Sequence, residues 1–335
     1  MSAYLPVPQA RPHQTPVSVS AAGDTDIVIG LINIMPPGAM KTAETLFRHR
    51  LNAFSTPCKI HWRLFALDRS SDPAAKTSAA PQYYEGLDAL WESPNSGRKP
   101  DALIVTGTES KARLMTDEAC WPDLQKICDW AGENTISTLW SCFSAHAAVL
   151  HMDNIHREPF FEKLSGIFEC EKTADHPIFQ NMPAQWSVPH SRYNNLNEAG
   201  LVANGYEILS RASGFGADSF TKQYINSQFL FLQGHPEYAT ATLSSEYFRD
   251  LKRFAHGQSS RSPRPPQNYF DESSLAIFDA GLLPDALSSA EFGAAVTARL
   301  ANAWDAPAQQ LFAGWLSYIA ERKTDIRTQS YSRLN

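Results

Sequence analysis

The ten residues Asp26–Met35, DIVIGLINIM, are almost continuously apolar and rich in β-branched side chains. Such a run suits a strand buried on both faces, as a central strand of a parallel sheet is. Pro36-Pro37-Gly38 ends it. The following stretch MKTAETLFRHRLNAF (40–54) places Ala43, Leu46, Phe47, Leu51 and Phe54 near helical period, which predicts a helix with Thr42 as its candidate start. CKIHWRLFAL (58–67) then alternates as a strand does. Strand, helix and strand in this order make a βαβ unit, whose two strands run parallel.

The pattern recurs. Pro100-Asp101 introduces ALIVTG (102–107), WPDLQKICDWAGEN (121–134) reads as an amphipathic helix, and ISTLW (136–140) is a buried strand that gives way to the small-residue stretch SCFSAHAAVL (141–150). Alternating strands and helices predict an open, mostly parallel sheet flanked by helices, with ligands beyond the carboxyl ends of the strands. Thr106-Gly107 and Ser141-Cys142 lie at two such ends. After His151, EKLSGIFECE, QWSVPHSRY, YEILSRAS, DSFTKQYI and FLFLQGHPE read as successive short strands, expected to be antiparallel additions to the sheet. ATLSSEYFRDLKRFAHG (241–257) predicts a helix capped by Thr242 or Ser244, with Gly257 past its end.

These elements divide the chain into an N-terminal arm (1–25), a main domain (26–257), and a linker with a C-terminal helical extension (258–335). In the last part QSSRSPRPPQ reads as a flexible joint, and EFGAAVTARLANAW and PAQQLFAGWLSYIAERK as two helical patterns that pack back on the sheet.

Composition narrows the function. The chain is 335 residues long, 43% hydrophobic and 19% charged, enough for a sizeable core. No apolar run approaches the roughly 18 residues of a membrane span, and the N-terminus lacks the basic start and apolar middle of a secretory signal. Cysteines at 58, 120, 128, 142 and 170 form no CxxC pair and no zinc spacing, so no metal is expected, and reduced thiols fit a cytoplasmic protein. A net charge of −6 argues against a nucleic-acid partner and leaves a small-molecule substrate.

Two constellations carry chemistry. A thiol at a strand-to-helix elbow, as at Cys142, gains exposure above the sheet and the amides of a helix start, which favour a thiolate and can hold an oxyanion. Ser141, Ser144, Ala145, Ala147 and Ala148 permit a sharp turn there, although a buried structural cysteine would have similar neighbours. In FLFLQGHPEY (229–238) a strand ends at Gly234, and His235 and Glu237 flank a stiff proline. Cys, His and Glu together supply nucleophile, general base and the group that orients the base. His146 and His190 read as structural.

SCFSA followed by GHPE is similar to the class I glutamine amidotransferase-like superfamily, which implies a flavodoxin-like α/β fold and a Cys-His-Glu triad. The glycines that flank the cysteine of a glutaminase are absent, since Ser141 and Phe143 adjoin it and Ser144 replaces the second glycine. The chain more closely resembles the homoserine O-succinyltransferase family. The likeness runs through INIMP (32–36), KTAETLF (41–47), LIVTG (103–107), EKLSGIFE (162–169), PHSRY (189–193), GHPEY (234–238), EYFRDL (246–251), QNYF (267–270) and LFAGWLSYI (311–319).

That resemblance implies Cys142 as an acyl-thioester nucleophile, His235 as general base and Glu237 as its partner. It implies Lys163, Ser191 and Arg249 as contacts to an amino-acid substrate. Taken on their own, Lys163 reads equally as a solvated strand residue, Ser191 as a turn residue and Arg249 as a surface partner of Asp250 or Glu246. Backbone amides at Phe143 and at the Ser110-Lys111 turn are the implied oxyanion donors. The position of Lys111 is associated in the family with choice of acyl group, Gly with succinyl and Glu with acetyl transfer. A lysine there would attract the free carboxylate of succinyl-CoA, while its length would obstruct a larger acyl group. The expected reaction is succinyl transfer from CoA to L-homoserine in methionine biosynthesis, with acyl-CoA as substrate, no cofactor, and a homodimer as the implied assembly. Acetyl transfer, a serine acceptor and a glutaminase are the alternatives.

Overall fold

A computed structural model describes residues 26–53, 59–67, 80–96, 99–279 and 302–332. The expected arm (1–25) and most of EFGAAVTARLANAW lie outside the described residues. The strands are β1 (Ile27–Asn33), β2 (Ile60–Ala66), β3 (Glu85–Gly86), β4 (Ala102–Val105), β5 (Ser137–Ser141), β6 (Glu158–Lys172), β7 (Gln185–Asn195), β8 (Glu207–Ala212), β9 (Gly216–Tyr224) and β10 (Ser227–Leu232). They form one sheet in the order β3-β2-β1-β4-β5-β10-β9-β8-β6-β7. From β3 to β10 every pairing is parallel, and from β10 to β7 every pairing is antiparallel.

The helices are α1 (Pro37–Asn52), α2 (Leu87–Trp91), α3 (Ser93–Ser96), α4 (Trp121–Asn134), α5 (Phe143–Asp153), α6 (Glu198–Ala203), α7 (Thr242–Ala255), α8 (Glu272–Asp279) and α9 (Asp305–Ser332). Alternate residues of the central strands feed two cores, as the pleat requires. Ile29, Leu31, Ile104, Leu139 and Leu230 join Phe47 of α1 and Phe312, Trp315 and Ile319 of α9. Ile32, Val105, Trp140, Phe229 and Phe231 join Ile127 of α4 and Val149 of α5 on the other face. Strands buried on both sides explain why β1 and β4 read as nearly unbroken apolar runs.

Three expectations need correction. FLFL is not an antiparallel addition on its β5 side: β10 pairs parallel with β5, Leu232 beside Ser141, and antiparallel only with β9. Apolar periodicity cannot tell which strand will be a neighbour. Helix α1 begins at Pro37, not Thr42, because a proline in the first helical position has no amide to satisfy and its φ is already helical. Neither Thr242 nor Ser244 caps α7: Ala241 is the N-cap, and the Ser244 hydroxyl donates to Ala241 O at 2.9 Å. Gly257 does lie past the end of α7, at φ 69°.

Helix α9 closes one face of the sheet. Trp315 is fully buried, and its indole donates to Ser137 Oγ at 2.8 Å, tying the C-terminal helix to β5. Gly314 permits the approach, since a Cβ there would lie 2.1 Å from Ile178 O.

Candidate active site

Cys142 follows β5 and serves as N-cap of α5, with φ 48° and ψ −107°. A side chain rarely takes this conformation, and holding it costs about 1–3 kcal/mol. Surrounding bonds enforce it: Cys142 N donates to Leu232 O at 2.7 Å, and Ser144 Oγ donates to Val105 O at 2.8 Å. The turn is therefore pinned to β10 on one side and β4 on the other. Small residues at Ser144 and Ala145 allow α5 to start directly under it.

Because β10 lies beside β5, the segment that leaves β10 passes Cys142. His235 N donates to Pro189 O at 2.7 Å, which fixes the turn against β7. His235 Nδ1 and Glu237 Oε1 are 2.8 Å apart, and the imidazole also has a hydrogen bond with Cys142. All three residues are buried, with Cys142 at 9% exposure. Burial opposes the charged imidazolium, but the Glu237 carboxylate and the Cys142 sulfur outweigh it, so His235 keeps its proton well above the usual histidine range. This arrangement favours a protonated imidazole beside the Cys142 sulfur.

A second polar group adjoins the triad. The Tyr238 ring stacks on His235 with centroids 4.3 Å apart, and its hydroxyl donates to Glu246 Oε1 at 2.7 Å. Ser191 Oγ donates to the other oxygen of Glu246. Lys163 Nζ donates to Asp250 Oδ2 at 2.8 Å and stands 3.6 Å from Glu246. Arg249 binds Asp250 Oδ1 through Nε and Nη2, at 3.0 and 2.9 Å. Burial pushes the Glu246 carboxyl up, but Lys163, Ser191 and Tyr238 outweigh it and hold it below the usual range. Two acids and two bases thus adjoin the triad through Tyr238 and present both signs of charge.

Residues 17–326 match the family described as homoserine O-succinyltransferase. The homoserine O-succinyltransferase of Bradyrhizobium japonicum is 38% identical over 321 residues, covering 92% of this chain and 96% of that protein. That of Methylorubrum extorquens is also 38% identical, over 88% of this chain and 87% of that protein. The chain belongs to the homoserine O-succinyltransferase family. A solved glutamine amidotransferase from Methylobacillus flagellatus is similar at 10% identity and a TM-score of 0.48, covering 88% of this chain and 95% of that one.

The structure brings the sequence-predicted residues of this homoserine O-succinyltransferase family member into two adjoining groups, Cys142 with His235 and Glu237, and Lys163 with Ser191 and Arg249. The open alternatives for the second group resolve geometrically. Lys163 is largely buried, Ser191 lies within β7 and is no turn residue, and Arg249 does pair with Asp250. Lys163 sits where the β6–β7 register shifts, between Pro159 and Leu164, which no alternation pattern could have placed.

The oxyanion assignment changes in one respect. The Lys111 amide donates to both oxygens of Glu118, at 3.0 and 3.2 Å, so it is taken. Arg157 holds the same loop by donating to Ser110 Oγ at 2.9 Å and Ala112 O at 2.8 Å. Phe143 N, in the first turn of α5, has no acceptor within its own helix and lies at the positive end of its dipole. A Cβ on Gly107 would lie 3.5 Å from that nitrogen, so the glycine keeps the space before the amide open. The Lys111 side chain is exposed.

Sequence reasoning gave no role to Tyr238, to Glu118 or to Glu246 beyond a surface pairing. A signal for Glu246 existed: residues 246, 249 and 250 share one face of α7 by helical spacing. Among the described residues, Cys170, His190 and Asp218 bring possible metal-ligand atoms within 4.8 Å of one another. Asp218 accepts there from Ser210 at 2.9 Å and Ser219 at 2.8 Å, with the Arg192 charge close by, which makes the group a buried polar cluster with little attraction for a cation.

Proposed function

We propose that this chain transfers a succinyl group from succinyl-CoA to the hydroxyl of L-homoserine, in two steps through a thioester on Cys142. The observation that carries the reading is the strained Cys142 elbow facing a His235–Glu237 pair in a chain of this family. Attack by the thiolate on the acyl carbonyl forms the thioester, and the His235 proton passes to the departing CoA sulfur. The neutral imidazole then takes the hydroxyl proton of the acceptor, whose oxygen attacks the thioester and releases the Cys142 thiolate. Protonation of His235 alternates with the charge on sulfur, so each step restores the partner that the next one needs. Phe143 N is the proposed donor to the oxyanion in both steps.

For the acceptor, Glu246 suits the ammonium group, and Lys163 and Arg249 suit the carboxylate, with Ser191 beside them. The exposed Lys111 ammonium is the proposed attraction for the free carboxylate of the succinyl group. Placement in methionine biosynthesis, in the cytoplasm and as a homodimer belongs to the same reading. Cys128, Cys142 and Cys170 are free thiols, which agrees with a reducing compartment.

Intact-protein mass spectrometry tests the reading. Succinyl-CoA should leave a succinyl adduct on Cys142 that disappears when L-homoserine is added. An acetyl adduct from acetyl-CoA alone would change the donor, and discharge by serine alone would change the acceptor. No adduct with either donor, together with ammonia release from glutamine, would replace the reading by a glutaminase.

A further inference from the structure

Tyr238 is buried, and bonds to distant parts of the chain fix it in place. Its carbonyl accepts from Arg50 Nη2 of α1 and from the indole of Trp304, just before α9, both at 2.8 Å. Its amide donates to His235 O at 3.1 Å, which closes the turn on itself. Its ring lies against the His235 imidazole, with centroids 4.3 Å apart and planes at 18°, and its hydroxyl donates to Glu246 Oε1 at 2.7 Å. One rigid side chain therefore reaches from the base of the triad to the carboxylate on α7.

A second link spans the same two groups. On β7, Pro189 O accepts from His235 N at 2.7 Å, and Ser191 Oγ donates to Glu246 Oε2. Positions 189 and 191 are two steps apart on one strand, a span of about 6.5–7 Å. Glu237 bonds to His235 and Lys163 pairs with Glu246, each at one end, whereas Tyr238 touches both. We propose, on the reading that His235 takes the proton of the acceptor hydroxyl and Glu246 binds its ammonium group, that Tyr238 is a positioning residue. It sets the separation of those two groups and thereby selects the chain length of the acceptor.

The carbons between the nitrogen and the hydroxyl oxygen of an amino acid fix how far apart those two atoms can stand. L-serine has one carbon fewer there than L-homoserine, and 5-hydroxy-L-norvaline has one more. An acceptor too short for the gap gives up either its ion pair with Glu246 or its approach to the imidazole, and one too long must buckle. Misplacing a reacting atom by about 1 Å can cost about 100-fold in rate. The Tyr238 ring holds the base end of the gap by stacking, and its hydroxyl holds the carboxylate end.

The test charges the native protein and Tyr238→Phe with succinyl-CoA and removes the excess ester. Intact-protein mass spectrometry then follows discharge of the acyl-enzyme by L-serine, L-homoserine and 5-hydroxy-L-norvaline. Tyr238→Phe keeps the stacked ring and loses the bond to Glu246. The preference for one acceptor length over the next should fall by about 10-fold or more in the variant. A variant that slows all three acceptors alike has lost structural support only, and that unchanged preference overturns the proposal. If Tyr238→Phe does not fold, Glu246→Asp decides. Retracting the carboxylate by one carbon widens the gap, so the preference should move toward the longer acceptor, and no movement overturns the proposal. Absence of an acyl-enzyme in the native protein overturns the functional reading itself, whereas an acyl-enzyme discharged with the same preference from both proteins overturns the spacing role alone.

Discussion

At the scale of single residues, one strained conformation does most to define the site. Cys142 at φ 48° is held by bonds from its neighbours, none of which uses its sulfur. Cys142→Ala should therefore fold as the native chain does while acyl transfer falls by about 10⁴-fold or more, as for loss of a nucleophile elsewhere. Circular dichroism and a coupled thiol-release assay would check both parts. His235 titrates above its unfolded value of about 6.5, so its charged form contributes fully to stability below that pH, and the contribution is lost as pH rises through the folded value. NMR of the ring protons should find this titration well above 6.5 and find it lowered in Glu237→Gln, which removes the foremost group holding the proton on. Lys111→Glu should lower the use of succinyl-CoA relative to acetyl-CoA. At an exposed position the effect is about 1 kcal/mol or less, or up to about 5-fold in the ratio of kcat/KM.

At the scale of elements, α7 presents Glu246, Arg249 and Asp250 on one face to Lys163 of β6 and Ser191 of β7. A charge-assisted hydrogen bond contributes about 1.5–3 kcal/mol. Glu246→Gln should therefore raise the KM for the amino-acid acceptor by about 10-fold or more, and leave the extent of acylation by the CoA ester unchanged in single-turnover mass spectrometry. Helix α9 depends on close backbone contact. Gly314→Ala would place a carbon 2.1 Å from Ile178 O, so the helix must shift, and urea unfolding should show a loss of about 1–3 kcal/mol.

At the scale of the whole molecule, the buried parallel strands, the helix Trp121–Asn134 and the turn at Cys142 were legible in the chain because both-face burial and helical period leave local patterns in residue type. The pattern in α9 was legible too, and its burial against the sheet makes it indispensable: a chain ending at residue 301 should lose its cooperative unfolding transition, because the face shared by Leu139, Leu230 and Phe47 would be open to water. What the chain alone determined was the kind of element along its strongly patterned stretches, from β1 and α1 to α7 and α9, and the chemical types Cys142, His235 and Glu237. The tertiary structure decided that β10 lies parallel beside β5, that the irregular β6–β7 register turns Lys163 toward α7, and that Glu118 takes the Lys111 amide. The physical reason is that periodicity records whether a residue faces water or core within its own element, whereas strand neighbours, register and the sharing of polar partners are set by packing among segments far apart in the chain.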